Sequence, residues 1–183
     1  IDNRTNMGDG AGEMGDKLPS INLCTGRTVT AISAGFNHSC ALLDNASVKC
    51  WGSNYRGQLG IDSTDNIGDN SSEMSSLSSI NLGTGRTATA ISAGGTHTCA
   101  LLDNASVKCW GNNGYGKLGI DNSTTMGDDS GEMGDNLPSI NLGTGRTAIA
   151  ISAGFNHNCA LLDNASVKCW GFNNKGQLGI DNT

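Results

Sequence analysis

Residues 151–179 read ISAGFNHNCALLDNASVKCWGFNNKGQLG. Within them HNCALL at 157–162 and VKCW at 167–170 have strand length, and Asp163-Asn164-Ala165-Ser166 between them is turn chemistry. The same text stands at 32–60 and 91–119 with few changes, Lys117 replacing the Gln58 and Gln177 of the other two. Outward from it, Ile120-Asp121-Asn122 repeats Ile1-Asp2-Asn3, Ile61-Asp62-Ser63 and Ile180-Asp181-Asn182, at intervals of 60, 59 and 60 residues. The chain therefore divides into copies at 1–60, 61–119 and 120–179, with the start of a fourth at 180–183. The one-residue gap falls near Ser76-Leu77. Ile1 is no initiator, so 183 residues are not expected to be the natural unit.

The rest of a copy is turn-rich. Residues 120–136, IDNSTTMGDDSGEMGDN, carry no strand or helix period and read as a long acidic surface loop. LPSINL at 137–142 is a short strand candidate behind a proline, and RTAIAISA at 146–153 is a second. That gives three or four short strands per copy and no helix. The fold class is all-β: tandem ~60-residue repeats of short antiparallel strands, as β-propeller blades or an open propeller-like superhelical array. Aromatic residues are 4% of the chain, too few for a large core in one copy, so each copy must bury its apolar face against the next. A net charge of −6 argues against nucleic-acid partners and anionic membrane surfaces. No apolar run approaches the ~20 residues of a membrane helix, so no membrane insertion is expected.

The pattern Ile-Ser-Ala-Gly-x-x-His-x-Cys-Ala-Leu-Leu, followed by Val-Lys-Cys-Trp-Gly-x-Asn-x-x-Gly-Gln-Leu-Gly, closely resembles the repeat of the regulator of chromosome condensation family. The resemblance implies a propeller, usually of seven blades. It does not imply the nucleotide-exchange activity of the founding member, which belongs to a particular face of one protein. The long insertion between Ile-Asp-Asn and Arg-Thr-Ala resembles a variant of this repeat found in secreted and surface proteins.

Six cysteines fall in the spacing Cys-x9-Cys: Cys40 and Cys50, Cys99 and Cys109, Cys159 and Cys169. With a hairpin turning at Asp44-Asn45-Ala46, Cys40 faces Cys50 and Leu42 faces Val48. Directly opposed positions lie ~4.5 Å apart in Cα, within disulfide range. The spacing reads as one cross-strand disulfide per copy, and stable disulfides imply an oxidising, extracellular location. Zinc held by His38, Cys40 and Cys50, or by His97, Cys99 and Cys109, is the competing reading, but it supplies three ligands where closed sites take four. Free thiols are a third. Cys24, replaced by Gly83 and Gly143 in the other copies, is either a candidate intermolecular thiol or an unpaired leftover.

Asn-x-Ser/Thr sequons start at Asn3, Asn37, Asn45, Asn70, Asn104, Asn122 and Asn164. Asn45, Asn104 and Asn164 stand apart, each in Asp-Asn-Ala-Ser at an expected hairpin tip open to a glycan. The alternative is turn chemistry alone, with Asn taking the positive φ that family members give to Gly. The recurring acids Asp9, Glu13 and Asp16, Asp69 and Glu73, and Asp128, Asp129, Glu132 and Asp135 read as a solvated loop rather than a calcium site. The middle copy has Ser76 where a carboxylate would recur. Arg27, Arg86 and Arg146 are expected to pair with them. The tryptophans Trp51, Trp110 and Trp170 are expected in packing, and the histidines in structural hydrogen bonds.

Polar residues recur by thirds, as scaffold residues do, and nothing supplies a nucleophile with its base. No catalytic, cofactor-binding or metal residue is assigned and no cofactor is expected beyond covalent N-linked glycans. The sequence points to a non-enzymatic extracellular structural repeat protein, the building block of a glycosylated filament or surface coat. Its expected partners are copies of itself or further repeats of the same chain, with glycans as a further candidate. The alternative is a secreted propeller that binds a protein or glycan through its variable loops, 53–56, 112–115 and 172–175.

Overall fold

The computed structural model describes residues 4–23 and 26–181. Nine strands form three separate antiparallel sheets. The first holds β1 (Val29–Ala34), β2 (His38–Leu43) and β3 (Val48–Gly52); the second β4 (Ala88–Ala93), β5 (His97–Leu102) and β6 (Val107–Gly111); the third β7 (Ala148–Ala153), β8 (His157–Leu162) and β9 (Val167–Gly171). In each the strands lie in chain order. The middle strand pairs with the third in the expected register, Cys40 opposite Cys50 and Leu42 opposite Val48. The first strand carries a bulge, so that Val29 meets Leu43 but Ala31 meets Leu42. The extra residue bends the strand, and where it is threonine its hydroxyl donates to the carbonyl of Leu42 (Thr30) or Leu101 (Thr89).

The hairpin of the first sheet shows how sequence sets the register. Leu43 N donates to Ser47 O, and Ala46 N to Leu43 O. The loop is therefore Asp44-Asn45-Ala46, three residues built on a tight turn whose last residue must adopt the left-handed region. That residue is Ala46, at φ 61°, with Ala105 and Ala165 at 62° and 64° in the other copies. The positive φ thus sits on the alanine after each sequon asparagine, not on the asparagine.

LPSINL does not form a strand. Pro138 lacks an N–H, and Asn141 Oδ1 turns the chain by accepting from Gly143 N. One backbone bond survives, from Ile140 N to Val107 O, matched by Ile80 N to Val48 O. Together with the isolated bridges Gly52–Ile67 and Gly111–Met126, these bonds lay the second and third insertions along the outer edges of β3 and β6. The insertion thereby covers an edge that would otherwise be open to pairing. The expectation of no helix is also corrected: α1 (Glu73–Ser76) is a single turn in the middle copy. The other copies have 3-10 turns at Gly15–Lys17 and Gly134–Asn136. The missing residue near Ser76 tightens the same bend differently, with Ser75 and Ser76 hydroxyls donating to Ser72 O.

The core lies between sheets. One face of the first sheet (Cys40, Leu42, Val48, Cys50) packs on Ala88, Ala100, Leu102 and Trp110 of the second, with Ile80 and Leu82 from its insertion. Cys99, Leu101, Val107 and Cys109 repeat this against Ala148, Ala160 and Leu162. Period-two alternation sends Cys40 and Leu42 to one face and Ala41 and Leu43 to the other. Each sheet thus has a forward face for the next copy and a rear face for the one before.

Candidate functional site

Three recurrent sets of side chains define the molecule: the disulfides, the polar junctions between sheets, and the loops at the sheet ends. The disulfides join Cys40 to Cys50, Cys99 to Cys109 and Cys159 to Cys169, with Cα–Cα distances of 4.1, 4.1 and 4.0 Å. The thiols needed for the zinc reading are therefore consumed, and no group of three or more His, Cys, Asp or Glu able to hold a metal occurs among the described residues. Cys24 lies outside the described residues.

The junctions are built on one carbonyl each. Gln58 O accepts from Trp110 Nε1 at 3.1 Å and from Thr98 Oγ1 at 2.8 Å. Thr98 Oγ1 in turn lies 2.8 Å from His38 Nε2. At the second junction Lys117 O accepts from Trp170 Nε1 at 3.0 Å and Asn158 Nδ2 at 2.6 Å, and Asn158 Oδ1 lies 2.9 Å from His97 Nε2. The roles fix the proton. Thr98 and Asn158 donate onward to a carbonyl, so each must accept from an imidazole Nε2–H. His38 Nδ1 and His97 Nδ1 have no partner among the described residues. Burial pushes both rings down to about 4, so they stand neutral. Between the first strands of neighbouring sheets, Ala93 N donates to Ser33 Oγ and Ala153 N to Ser92 Oγ. The Lys117 ammonium donates to Asn156 Oδ1 at 2.8 Å, and burial, then Arg56, lowers it to about 8.

The insertions are held by acids in a way the sequence reading missed. Glu73 Oε2 accepts from the backbone N–H of Gly68, Asp69 and Asn70. Glu132 does the same for Gly127, Asp128 and Asp129, and Glu13 for Gly8 and Gly10. These N–H donors, chiefly those of Gly10 and Asn70, hold the Glu13 and Glu73 carboxyls below their ordinary value. The readable signal was a glycine five residues before each glutamate. Asp62 clasps the next insertion through Gly131 N and Met133 N, and the buried Lys108 ties Leu82 O to Gly134 O across the same junction. The arginines do not pair with the insertion acids. Arg27, Arg86 and Arg146 reach the hairpin aspartates Asp44, Asp103 and Asp163 at 3.9, 3.4 and 3.5 Å. Such exposed pairs contribute little.

At the hairpin tips, Asn45 Oδ1 accepts from Ser47 N and Ser47 Oγ. Asn104 and Asn164 repeat this with Ser106 and Ser166. At the opposite end of each sheet lie the variable loops. Ser53 N donates to Asn37 O, Asn112 N to Thr96 O and Phe172 N to Asn156 O, which joins each loop to the turn between the first two strands. All three phenylalanines and both tyrosines of the chain are here: Phe36, Phe155, Phe172, Tyr55 and Tyr115. Phe36 and Phe155 meet edge to face at 5.3 Å, and Tyr115 lies 4.3 Å from Phe172.

Comparison with known proteins agrees with this architecture. The model of the regulator of chromosome condensation (RCC1) repeat matches residues 29–58, 88–117 and 148–177, and a second model of the same repeat matches 47–101. The chain is 30% identical over 155 residues to the probable E3 ubiquitin-protein ligase HERC4 of Homo sapiens, covering 85% of this chain and 13% of the ligase. It is 32% identical over 158 residues to the ultraviolet-B receptor UVR8 of Arabidopsis thaliana, covering 86% of this chain and 32% of the receptor. Yeast RCC1 (Prp20), solved bound to Kap60, superposes with a TM-score of 0.65 at 21% identity over 85% of this chain and 34% of that one. Human WBSCR16 gives 0.63 at 19% identity over 80% and 33%. These structures share the propeller-type fold, and the chain spans between 13% and 34% of the length of these proteins. The three sheets are consecutive blades, and the chain belongs to the regulator of chromosome condensation repeat family.

Proposed function

We propose that the chain is a non-enzymatic structural module that builds an extracellular filament or coat from equivalent blades. The observation that carries this reading is the recurrence of one polar contact set at both junctions. A carbonyl from the Gly-x-Leu-Gly loop receives a tryptophan and a polar side chain, and that side chain receives a histidine. Equivalent units that make equivalent contacts suit repeated assembly. The staples between Cys40 and Cys50, Cys99 and Cys109, and Cys159 and Cys169 support an oxidising compartment.

The same reading assigns N-linked glycans to Asn45, Asn104 and Asn164. At these tips Oδ1 is occupied by the sequon serine, which leaves Nδ2 as the solvent-facing atom. Asn70, also in a sequon, spends its Nδ2 on Asp69 and Glu73. Electron microscopy of the native material, with non-reducing peptide mapping, tests the proposal. Continuous fibres or sheets, three intact disulfides and sugar on the three tips are expected. Closed discs, or all six thiols free, would overturn it.

A second reading has its own observation: every phenylalanine and tyrosine sits on the loop end rather than in the core. Exposed rings beside adaptable amides suit recognition of a protein or glycan. Under this reading, closed discs are expected, and replacing Tyr55 and Tyr115 by serine should abolish partner capture without changing the thermal transition.

A further inference from the structure

The loop end of the sheets carries cations and no acids. Its segments, 35–38, 53–58, 94–97, 112–117, 154–157 and 172–177, contain Arg56, Lys117 and Lys175 but no aspartate or glutamate, in a chain of net charge −6. At the hairpin end, by contrast, Arg27, Arg86 and Arg146 each have an aspartate. Arg56 makes no ion pair among the described residues, and its guanidinium lies 5.7 Å from the centre of the Tyr55 ring. It is close enough to act on the Lys117 ammonium, and no carboxylate acts on that ammonium in the opposite sense. Asp128 approaches this loop only with its backbone, against Gly57, and leaves Arg56 unpaired.

The middle loop is built differently from its neighbours. In the first and third, Gln58 Oε1 accepts from Arg56 N and Gln177 Oε1 from Lys175 N, each at 2.9 Å. Lys117 stands in the place of those glutamines and has no acceptor to offer. Its ammonium turns to Asn156 instead. Tyr115, in the place of Arg56 and Lys175, goes over to a left-handed φ of 69°, which a residue with a side chain holds only at a cost and which marks the loop as a functional candidate. The Tyr115 ring thereby comes to 4.3 Å from that of Phe172 and stays 63% exposed. Tyr115 lies at the strand ends of the middle copy, which has a sheet on either side, so an open sheet face is not the source of this exposure.

Resting on the loop-end binding reading above, we infer that Arg56, Lys117, Tyr115 and Phe172 form a docking site for an acidic segment of a protein partner, one in which a carboxylate neighbours an apolar or aromatic side chain. The carboxylate pairs with the planar fork of Arg56, in the field of the buried Lys117 ammonium. The side chain beside it packs on the Tyr115–Phe172 pair, which offers ring surface without a large ordering cost. Charge complementarity selects the partner: an acidic segment is repelled by the rest of this acidic chain and is attracted here. A sulfated polysaccharide or a nucleic acid fits less well, because both call for a row of exposed cations. Here the cations are three, one of them is buried, and rings stand between them.

The test titrates the full chain, by fluorescence anisotropy, into a labelled random copolymer of glutamate and tyrosine, with polyglutamate and heparin as the other probes. The copolymer should bind despite the negative charge of the chain, and less tightly as salt screens the pair. Polyglutamate, which lacks the ring, should bind more weakly. Arg56→Gln, Lys117→Gln and Tyr115→Gly should each weaken the copolymer by roughly tenfold. All three should keep the fold, checked by the thermal transition: Arg56 is exposed, glutamine is what the other two loops carry in the place of Lys117, and glycine takes the φ of Tyr115 freely. Arg86→Gln, at the hairpin end, should bind as the parent does. Failure of the copolymer to bind would overturn the inference. Binding that the three variants keep in full would overturn it and remove the loop end as the surface as well. Heparin bound in place of the copolymer, and lost in Tyr115→Gly, would overturn the acidic-protein partner and leave the loop-end reading standing.

Discussion

Thr98 is a single hydroxyl on which one junction turns. It accepts from the His38 ring and donates to Gln58 O, all away from water. Thr98→Val keeps the shape and removes both bonds. Gln58 O retains Trp110, but the His38 Nε2–H is left buried without an acceptor. Loss of a buried partner costs about 1–3 kcal/mol, and urea unfolding should show that loss; a midpoint unchanged from the parent chain would refute the relay. Little of this was legible in the sequence. A histidine followed by Ser, Thr or Asn looks like a variable position, because the conserved element is the role, a side chain that both accepts and donates. The glutamates of the insertions were hidden for a related reason. Acids among glycines read as solvated, although backbone N–H groups of a tight loop gather around a carboxylate as readily as water does. The Asp-Asn-Ala-Ser tips were legible as turns, but the left-handed residue was misplaced by one. A three-residue loop puts the left-handed conformation on its last residue, and closure of the hairpin overrides the preference of asparagine for it.

Between strands, the disulfides were readable because a hairpin of known turn fixes who faces whom, and the Cys40–Cys50 pairing follows from that arithmetic. The false strand at 137–142 fails for the converse reason: apolar alternation says nothing about whether a partner edge lies within reach for more than one bond. Burial now separates three staples that sequence makes equivalent. The pairs Cys40–Cys50 and Cys99–Cys109 are enclosed, while Cys159 and Cys169 are half-buried. Under mild reductant the third bond should open first, by mass-resolved alkylation, and each closed loop should be worth about 2–3 kcal/mol in the chain-entropy model. Equal rates for all three would mean the third face is covered in solution. The junction histidines add a pH dependence. Burial holds His38 and His97 at about 4 in the fold against 6.5 for the free group. The unfolded chain therefore binds protons first, and stability present above pH 6.5 is lost as the pH falls toward 4, on the order of 3 kcal/mol for each ring. Denaturation midpoints between pH 7 and pH 4.5 should fall, and His97→Gln should flatten the slope; a parent chain with a level profile would refute the neutral, buried rings.

At the scale of the whole molecule, near-identical sequence in three different surroundings makes the chain its own control. The expectation that each copy depends on its neighbours was available from composition, since so few aromatic residues cannot fill a core per copy. What sequence could not assign was direction, because a forward and a rear face appear only once the sheets are stacked. Stacking makes burial unequal. β5 and β6 are buried along their whole length, while β9 begins with two exposed residues, although VKCWG is the text of both third strands. In a repeat array local stability is the sum of a copy's own terms and its contacts with neighbours, so a middle copy with two neighbours should open least. Amide hydrogen exchange should be slowest across 97–111 and faster across 157–171, with the hairpin bonds themselves held constant by sequence. If protection instead followed sequence, equal in all three copies, then the blades would be stable one by one and their stacking would contribute nothing.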